Sequence, residues 1–337
     1  MLKNKSILVT GGAGYVGSGL LRELLAEGYV VTCVDNLMFG GDSLLDILHK
    51  KNFTFLKCDI NDYEKLEVIF NKHNFDAVIH LAAIVGDPAC KLYSDLAVKT
   101  NWASSKWLID KSKSAGVSKF LFASTCSNYG KMDDPEAFVD ESSKLAPVSL
   151  YAELKVKFEN YMLNEIEKLD EFSPTSLRFS TVYGLSPRMR FDLTVNEFTK
   201  DLALGKELLV FGEQFWRPYC HVKDFSNAFI TILKAPKEKV AYNVFNVGDT
   251  KENYTKKMLI NEILKVLPNS KIKFVKKNDD PRDYRVNCDK IKKELGFKIS
   301  MTVPDGIMEI KSLIQDNIIQ DPENQKYYNI PHEKMSK

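Results

Sequence analysis

The stretch TGGAGYVGSGLL, residues 10–21, decides the fold of this 337-residue chain. Three of its glycines, at positions 11, 14 and 17, lie between a β-branched run, SILVT, and a segment of helical periodicity. Glycine permits a sharp turn and a close approach of the backbone to a pyrophosphate, whose charge the free N–H groups at the helix start would stabilise. The stretch therefore predicts a dinucleotide site formed by Gly11, Gly14, Tyr15, Val16 and Gly17.

Short β-branched runs alternate with helical segments over the first 180 residues. The runs are SILVT, YVVTCVD, FTFLKCD, DAVIHLAA, KFLFAST and PTSLRFS. This order predicts an α/β protein with a Rossmann-type doubly wound parallel sheet. After about residue 184 the pattern loosens. We expect a first domain over 1–183, with 221–248 returning to it, a smaller C-terminal substrate-binding lobe over 184–320, and a polar surface arm or disordered tail over 321–337.

The composition excludes several classes of protein. The 47 Lys and Arg residues against 45 Asp and Glu leave a net charge of +2, so no nucleic-acid or membrane partner is expected. No apolar run approaches the roughly 20 residues that span a bilayer, and the start MLKNKSILVT lacks a signal-peptide core. The six cysteines form no CxxC pair, and no histidine stands at metal-ligand spacing. We expect a cytoplasmic protein without a metal.

Two carboxylates end the second and third predicted strands. Asp35 follows Gly17 by 18 residues, where it can accept hydrogen bonds from adenosine ribose hydroxyls and would repel a 2′-phosphate. Asp59 is placed to reach the adenine amino group. Either residue could instead form only a turn, but the spacing favours NAD over NADP as the cofactor.

Tyr151 and Lys155 begin a predicted helix, YAELKVKFENYMLNEIEKLD. Side chains four residues apart share a helical face, so the Lys155 ammonium can lie near the Tyr151 phenol. A cation there favours the ionised phenol, and the oxidised nicotinamide adds a second positive charge. Tyr151 could then take a proton from a sugar hydroxyl.

Seven segments in order and spacing identify a family: TGGAGYVG, DNL (35–37), CDI (58–60), HLAA (80–83), Asn101 in KTNWASSKWLI, FASTCSNYG (122–130) and YAELK. Over residues 5–315 the chain resembles extended short-chain dehydrogenases/reductases of the nucleotide-sugar epimerase/dehydratase branch. The resemblance makes 1–183 an NAD-binding domain and 184–320 a nucleotide-sugar-binding lobe. It implies further NAD contacts at Asn36, Leu37, Ile60, Leu81, Ala82, Ala83, Asn101, Ser124, Tyr151 and Lys155.

The resemblance also assigns Thr125, with Tyr151 and Lys155, to a catalytic triad in which Thr125 hydrogen-bonds the reacting hydroxyl. The 4,6-dehydratases of this family continue with Asp-Glu, whereas this chain has Cys126 and Ser127. A dehydratase of that type is therefore not expected, and Cys126 is either a base or a small packing residue. Its histidines, His80 and His221, are not expected to be catalytic.

The remaining chemistry is oxidation at C4 of a nucleotide-activated hexose or heptose through a 4-keto intermediate. Return of hydride after the sugar turns over makes a 4-epimerase, which we place first. Release of the ketone makes a net C4 dehydrogenase, and a non-catalytic NAD-binding protein is a third alternative. An NADP-dependent reductase of small carbonyls is disfavoured by Asp35.

Substrate contacts follow mainly from the resemblance. Arginine suits phosphates because its planar fork donates in pairs. Arg217 in GEQFWRPYCHVKD and Arg282 in DDPRDY match phosphate- or ribose-binding positions of the family, and Thr181 replaces its usual Asn. The remaining candidates are Asp87, Tyr129, Arg188 and Asn196.

Two further expectations rest on resemblance alone. RFSTVYGLSPRMRFDLTVN, RPYCHVKD and DPRDY are similar to segments of GDP-heptose C4 dehydrogenases of bacterial capsule assembly, which favours GDP as the nucleotide and a role in capsule or lipopolysaccharide biosynthesis. Helices around 100–115 and 151–168 commonly form a two-fold interface in the family. We therefore expect a homodimer or a dimer of dimers.

Overall fold

The computed structural model of the chain describes residues 5–132, 134, 137–276 and 282–331. Within these ranges the strands are β1 Ser6–Thr10, β2 Val30–Asp35, β3 Phe53–Lys57, β4 Ala77–His80, β5 Lys119–Thr125, β6 Ser173–Phe179, β7 Thr181–Tyr183, β8 Leu208–Phe211, β9 Trp216–His221, β10 Asn243–Val247, β11 Asn253–Thr255 and β12 Ile272–Val275.

The α-helices in the same ranges are α1 Tyr15–Ala26, α2 Tyr63–Lys72, α3 Asp87–Leu92, α4 Ser94–Val98, α5 Ser105–Ser114, α6 Leu150–Asn160, α7 Thr194–Ala203, α8 Val222–Lys234, α9 Lys237–Val240, α10 Lys256–Val266, α11 Asp289–Leu295 and α12 Val303–Gln315. Short π-helical turns, Lys99–Ser104 and Tyr161–Glu165, adjoin α5 and α6. Across the described ranges, no helix has the length and apolar character needed to cross a membrane.

Seven strands form one sheet in the order β3-β2-β1-β4-β5-β6-β10, and every neighbouring pair is parallel. The chain starts at β1, builds outward to β3, and then crosses to β4 on the other side. The strand order therefore reverses between β1 and β4, where ligands bind in open α/β sheets. The predicted doubly wound parallel sheet is confirmed, and each of the six quoted β-branched runs contains one of its strands, β1–β6.

Helices cover both faces of this sheet, which explains why its strands are apolar on both sides. On one face α1 and α8 pack together through residues such as Leu20, Leu24 and Phe229. On the other face Leu108 of α5 and Phe158 of α6 join the core with residues of α2. The catalytic candidates on α6 are therefore carried by a helix fixed against the sheet.

Beyond β6 the chain forms two small sheets, β11-β9-β7 and β12-β8. They pack with α7, α10 and α12 in a separate core that includes Val195, Leu259, Ile260 and Ile307. Between them, α8 and β10 rejoin the large sheet, where β10 pairs with β6. The second core lies next to the carboxyl ends of the large sheet through β7, which follows β6 after one residue.

Residues 321–331 do not form a free surface arm. Tyr328 is buried, and its hydroxyl accepts a hydrogen bond of 2.9 Å from Lys200 Nζ. The Tyr327 ring packs edge-on against Phe191, with ring centres 5.4 Å apart. The polar sequence hid this docking, because two adjacent aromatic rings suffice to bury a segment that is otherwise charged. Residues 332–337 of the expected tail lie outside the described residues.

Candidate active site

A cleft of about 270 Å³ opens at the carboxyl ends of β1 and β4, where the strand order reverses. The glycine turn, the ends of β2 to β5 and the first turns of α6 form its walls. The predicted NAD contacts that line it are Gly11, Gly14, Tyr15, Val16, Gly17, Asp35, Asn36, Asp59, Ile60, Leu81, Ala82, Ala83, Ser124, Tyr151 and Lys155. The structure thus brings together residues from seven separate sequence segments.

The glycine turn leaves no space for side chains at two positions. Gly11 has a φ of +75°, and a Cβ there would lie 2.6 Å from the backbone nitrogen of Ala82. A Cβ on Gly17 would lie 2.4 Å from the carbonyl oxygen of Gly11. Any other residue would therefore push the turn away from β4 or from helix α1. The close packing presents the start of α1, capped by Gly14, to the cleft.

Asp35 is held by the backbone of both neighbouring loops. Its carboxylate accepts hydrogen bonds from Ala13 N at 3.0 Å and from Leu37 N at 2.8 Å. Burial raises the pKa of the Asp35 carboxyl above its ordinary value. Leu37, at a φ of +61°, packs on the core behind the wall instead of lining the cleft. Its predicted cofactor contact is therefore wrong for the side chain.

Asp59 pairs with amide side chains at the adjacent strand end. Asn36 Nδ2 donates to it at 2.9 Å, and Asn61 donates from both its backbone and its side chain. Burial opposes ionisation, but these hydrogen bonds outweigh it and lower the pKa of Asp59. Asp59 thus stays a charged acceptor on the cleft wall.

Asn101 supports the wall from behind. Its buried side chain accepts a hydrogen bond from Ile84 N and donates one to Ile84 O, both at 2.8 Å. Ile84 and Val85 in turn line the cleft. The predicted cofactor contact of Asn101 is corrected to a positioning role, because both polar atoms of its amide are occupied by the backbone.

Tyr151 and Lys155 lie on one face of α6, as their spacing predicts. Ser149 caps the helix by accepting a hydrogen bond from Ala152 N at 3.3 Å. Lys155 Nζ donates to the carbonyl oxygen of Ala123 at 2.7 Å and lies 5.8 Å from the centre of the Tyr151 ring. This contact ties α6 to the end of β5.

The electrostatics of the pair differ from the expectation. Burial raises the pKa of the Tyr151 phenol and lowers the pKa of Lys155 to about 8. The loss of water around both groups outweighs their mutual attraction. The chain's own groups therefore do not ionise the phenol, and the second positive charge expected from an oxidised nicotinamide is needed for that.

The segment FASTCSNYG ends β5 and forms a tight turn. Thr125 Oγ1 accepts a hydrogen bond of 3.1 Å from Ser127 N, and Thr125 lines the cleft. Cys126 is buried, and its thiol donates to the carbonyl oxygen of Arg178 at 3.2 Å. Burial raises the pKa of that thiol, so it is not a thiolate base. Of the two roles left open for Cys126, the structure supports packing.

Tyr129 does not lie in the sugar cleft. It is buried, donates a hydrogen bond to Asn246 Oδ1 at 2.7 Å and accepts one from Arg178 Nη1 at 2.9 Å. Its predicted substrate contact is corrected to a structural one. A hydroxyl with two protein partners at more than 45 residues of separation gives no local sequence signal.

Asp87 and Arg282, predicted separately as substrate contacts, are paired with each other. Arg282 Nη1 donates to Asp87 Oδ2 at 2.7 Å, and Ser149 Oγ donates to Asp87 Oδ1 at the same distance. This places both residues at the start of α6, close to Tyr151. Arg217 lies with its guanidinium 5.3 Å from the centre of the Tyr284 ring. Contact of these residues with a substrate stays a prediction.

Asn196 and Thr181 belong to the loop system above the cleft. Asn196 is buried, accepts from Gly184 N at 2.9 Å and donates to Arg190 O at 2.9 Å. It therefore fixes the 184–190 loop, and its predicted grip on the substrate is corrected. Thr181 lies in β7 in register with Tyr219, and its substrate contact stays a prediction.

Arg188 lies at the dinucleotide part of the cleft, which the sequence did not predict. Its backbone nitrogen donates to Ser18 Oγ of α1 at 3.3 Å, and its guanidinium lies 4.4 Å from the centre of the Phe39 ring. Among the described residues, Nε and Nη2 of its buried guanidinium find no acceptor. Burial lowers the pKa of Arg188 to about 10, which leaves it cationic at neutral pH.

Two further residues of the cleft wall were missed. Arg190 forms an ion pair of 2.8 Å with Asp192, and Asn329 comes from the C-terminal segment. The pair of arginines in SPRMR was a usable signal for Arg190. The sequence offers none for Asn329.

These groups fit NAD. The glycine turn, the acceptor Asp35 and the unmatched donors of Arg188 suit a pyrophosphate flanked by ribose hydroxyls. Together with the Tyr151 and Lys155 pair, they define the site of an enzyme that uses a dinucleotide to oxidise and reduce its substrate.

The chain belongs to the NAD dependent epimerase/dehydratase family, whose model matches residues 7–248. It is 30% identical over 323 residues to a UDP-glucuronate 4-epimerase of Thermodesulfobacterium geofontis, covering 92% of this chain and 96% of the relative. It is 26% identical over 329 residues to Protein CapI of Staphylococcus aureus, covering 89% and 96%.

A solved structure shares the fold. The UDP-glucose 4-epimerase of Thermotoga maritima with UDP-glucose superposes with a TM-score of 0.80 at 28% identity, covering 93% of this chain and 99% of that one. The predicted family, the NAD cofactor and the assignment as an NAD-dependent enzyme are thereby confirmed.

Proposed function

We propose that the chain is an NAD-dependent 4-epimerase of a nucleotide-activated sugar, acting through a 4-keto intermediate. One observation carries the proposal: Thr125, Tyr151 and Lys155 line the same cleft as the glycine turn and Asp35. The acid/base groups and the dinucleotide groups thus share one cavity. The 4-epimerases among the relatives support the same reaction.

The side chains have distinct roles in this proposal. Tyr151 takes the proton of the C4 hydroxyl, Thr125 hydrogen-bonds that hydroxyl, and the Lys155 ammonium stabilises the phenolate that Tyr151 must form. When bound, NAD would accept hydride from C4 and return it to the other face of the ketone. Tyr151 then gives its proton back to the C4 oxygen. No group other than Tyr151 has to gain or lose a proton.

Elimination of water needs two further groups, an acid and a base, beside Thr125. Cys126 at that position is buried with a raised pKa and donates to Arg178. Ser127 has no ionisable group in the physiological range. The arrangement therefore supports oxidation and reduction at C4 without dehydration.

The second lobe and its border would hold the nucleotide. We propose that Arg217 and Arg282 contact its phosphates or ribose, with Asp87 orienting Arg282 through their 2.7 Å ion pair. The relatives named above act on UDP-glucuronate and UDP-glucose, so we favour a UDP-sugar over the GDP-sugar suggested by the sequence.

A proton-NMR time course with UDP-, GDP-, CDP- and dTDP-activated hexoses and heptoses tests the function. An inverted H4 coupling pattern without net NADH is expected, and Tyr151→Phe is the control. A 4-keto sugar released only when NAD and a keto-acid acceptor are added would replace the epimerase by the net dehydrogenase. No reaction with any of these sugars would contradict both.

We also propose a homodimer or a dimer of dimers formed by α5 and α6 with their π-helical turns. Trp102 and Tyr161 from these two elements pack edge-on at 6.0 Å, and Lys157 lies 4.1 Å from the Trp102 ring centre. This half-buried aromatic surface suits a two-fold contact. Light scattering should give at least twice the 38.4 kDa chain mass. A stable monomer would contradict it.

A further inference from the structure

The segment of residues 321–331, called here the C-terminal strap, connects the two parts of the molecule across the cleft. At the second lobe, Lys200 Nζ donates to Glu323 at 2.7 Å and to the Tyr328 hydroxyl at 2.9 Å. Phe191 N donates to the carbonyl oxygen of Tyr327 at 3.0 Å. These contacts anchor the strap on α7 and on the loop that precedes it.

The other end of the strap reaches the NAD-binding domain. Ile330 packs on a cluster that includes Ile84, Leu154 and Tyr151. Its carbonyl oxygen accepts a hydrogen bond of 2.9 Å from Gln325 Nε2, which fixes the bend of the strap. The strap therefore contacts the same side chain, Tyr151, that the proposed reaction uses.

Asn329 lies between these two anchors and lines the dinucleotide cleft with Arg188 and Arg190. Its backbone nitrogen donates to Asp192 Oδ2 at 3.0 Å, and Asp192 is held by its ion pair with Arg190. Its side-chain Oδ1 is buried and finds no donor among the described residues. A buried acceptor without a partner costs about 1–3 kcal/mol, so its position beside the cleft calls for a ligand that donates.

We propose that the C-terminal strap closes the dinucleotide cleft and that Asn329 binds NAD, accepting a hydrogen bond from a ribose hydroxyl or the carboxamide of the cofactor. An acceptor oxygen cannot bind the anionic pyrophosphate, whereas the unmatched donors of Arg188 can. The two side chains thus divide the cofactor between them. The strap holds Asn329 in place through contacts on both sides of the cleft.

The consequence is slow release of NAD. A 4-epimerase regenerates its oxidised cofactor in every cycle and gains nothing from exchanging it, so a closed strap suits that reaction. The inference deepens the proposed function but rests only on its NAD site, not on the fate of the ketone.

The test is the rate of cofactor release. Asn329→Ala keeps the backbone bond to Asp192 and removes the acceptor. We expect NADH, displaced by excess NAD and followed by its fluorescence, to leave about tenfold faster than from the unchanged protein, the loss expected for one hydrogen bond. The amount of NAD that stays bound through gel filtration should fall as well.

Asn324→Ala is the matched control, since Asn324 lies on the same strap, is exposed, and bonds only Asp321 and Lys326 among the described residues. It should release NADH at the original rate. A chain ending at Gln320 should release it faster still, provided circular dichroism shows a native fold. Unchanged release from Asn329→Ala would overturn the strap proposal alone. An unchanged protein that binds no NAD would overturn the proposed function instead.

Discussion

The ammonium of Lys155 lies 5.8 Å from the centre of the Tyr151 ring while it donates a 2.7 Å hydrogen bond to the carbonyl oxygen of Ala123. One lysine thus fixes the phenol of α6 relative to the end of β5, where Ser124 and Thr125 follow. Because the ammonium is bound to backbone, its position does not depend on a mobile partner. The geometry of the proposed triad is therefore set before any substrate enters.

Replacing Tyr151 with Phe should lower kcat at least 100-fold, because the change removes only the hydroxyl that exchanges the C4 proton. The ring and its packing remain, so the dissociation constant of NAD should stay within about twofold. Turnover is measured by NMR and NAD binding by calorimetry. Tyr161→Phe, which removes a hydroxyl that donates to Asp110 outside the cleft, should keep normal turnover. Undiminished activity of Tyr151→Phe would remove this residue from the mechanism.

Asp35→Ala should weaken NAD binding by about tenfold and reduce the preference for NAD over NADP by at least as much, because an acceptor and a negative charge are both lost. Dissociation constants for the two cofactors give the ratio. The variant also loses the bonds from Ala13 and Leu37, so its thermal unfolding is measured in parallel.

Asp46→Ala is the control for Asp35, since it removes an exposed carboxylate that pairs with Arg22 away from the cleft wall. It should leave the cofactor ratio as it was. An Asp35→Ala variant that still rejects NADP as strongly would show that another group makes the discrimination.

The sequence predicted the fold and most of the NAD site because their signals are local. A β-branched run, a glycine triplet and a strand-end Asp each occupy a few consecutive residues, and parallel strands bring their ends to one edge. Each of these segments could therefore be placed on the sheet before any contact between them was known.

The errors concern side chains whose partners are distant in the chain. Asn196 reaches Tyr15, 181 residues away, and Tyr129 reaches Asn246, 117 residues away. Such pairs have no period or spacing, so an Asn or Tyr near a motif is easily assigned to a ligand. Arg188 was correctly chosen as an anion-binding type of residue but placed at the wrong end of the cleft, because the path of the 184–190 loop is set by Asn196.

His80 should make the protein less stable in acid. Its ring bonds Thr10 and Ser105 at 2.8 Å, and burial lowers its pKa from 6.5 to about 3. Below pH 6.5 the unfolded chain therefore binds more protons than the folded one. The contribution is complete above pH 6.5 and is lost as the pH falls toward 3, on the order of 4 kcal/mol in all.

Urea unfolding at pH 7 and pH 4.5 measures this effect. The free energy of unfolding should fall between these pH values by about 2 kcal/mol more for the unchanged protein than for His80→Gln, which cannot gain the proton. The exposed His49→Gln variant should show the same pH dependence as the unchanged protein. Equal slopes for all three proteins would mean that His80 is not held neutral.

The buried ion pair between Glu159 and Arg178 should matter more for stability than any exposed pair. Both side chains are at most 5% exposed, and Glu159 also accepts a hydrogen bond of 2.7 Å from Ser176. Glu159→Gln leaves the guanidinium buried without its counter-charge, which should lower the free energy of unfolding by about 3 kcal/mol. Glu262→Gln, at the exposed pair with Lys265, should cost no more than about 0.5 kcal/mol.

The same substitution reaches the active site through Arg178, which donates to Tyr129 and accepts from the Cys126 thiol. These bonds hold the turn that follows Thr125. Glu159→Gln should therefore also lower kcat per folded molecule by about threefold to tenfold, because a displaced catalytic hydroxyl loses orientation. Chemical unfolding gives the stability, and turnover normalised to the folded fraction gives the second effect. A variant that loses stability but keeps its full normalised kcat would show that Thr125 is positioned without this ion pair.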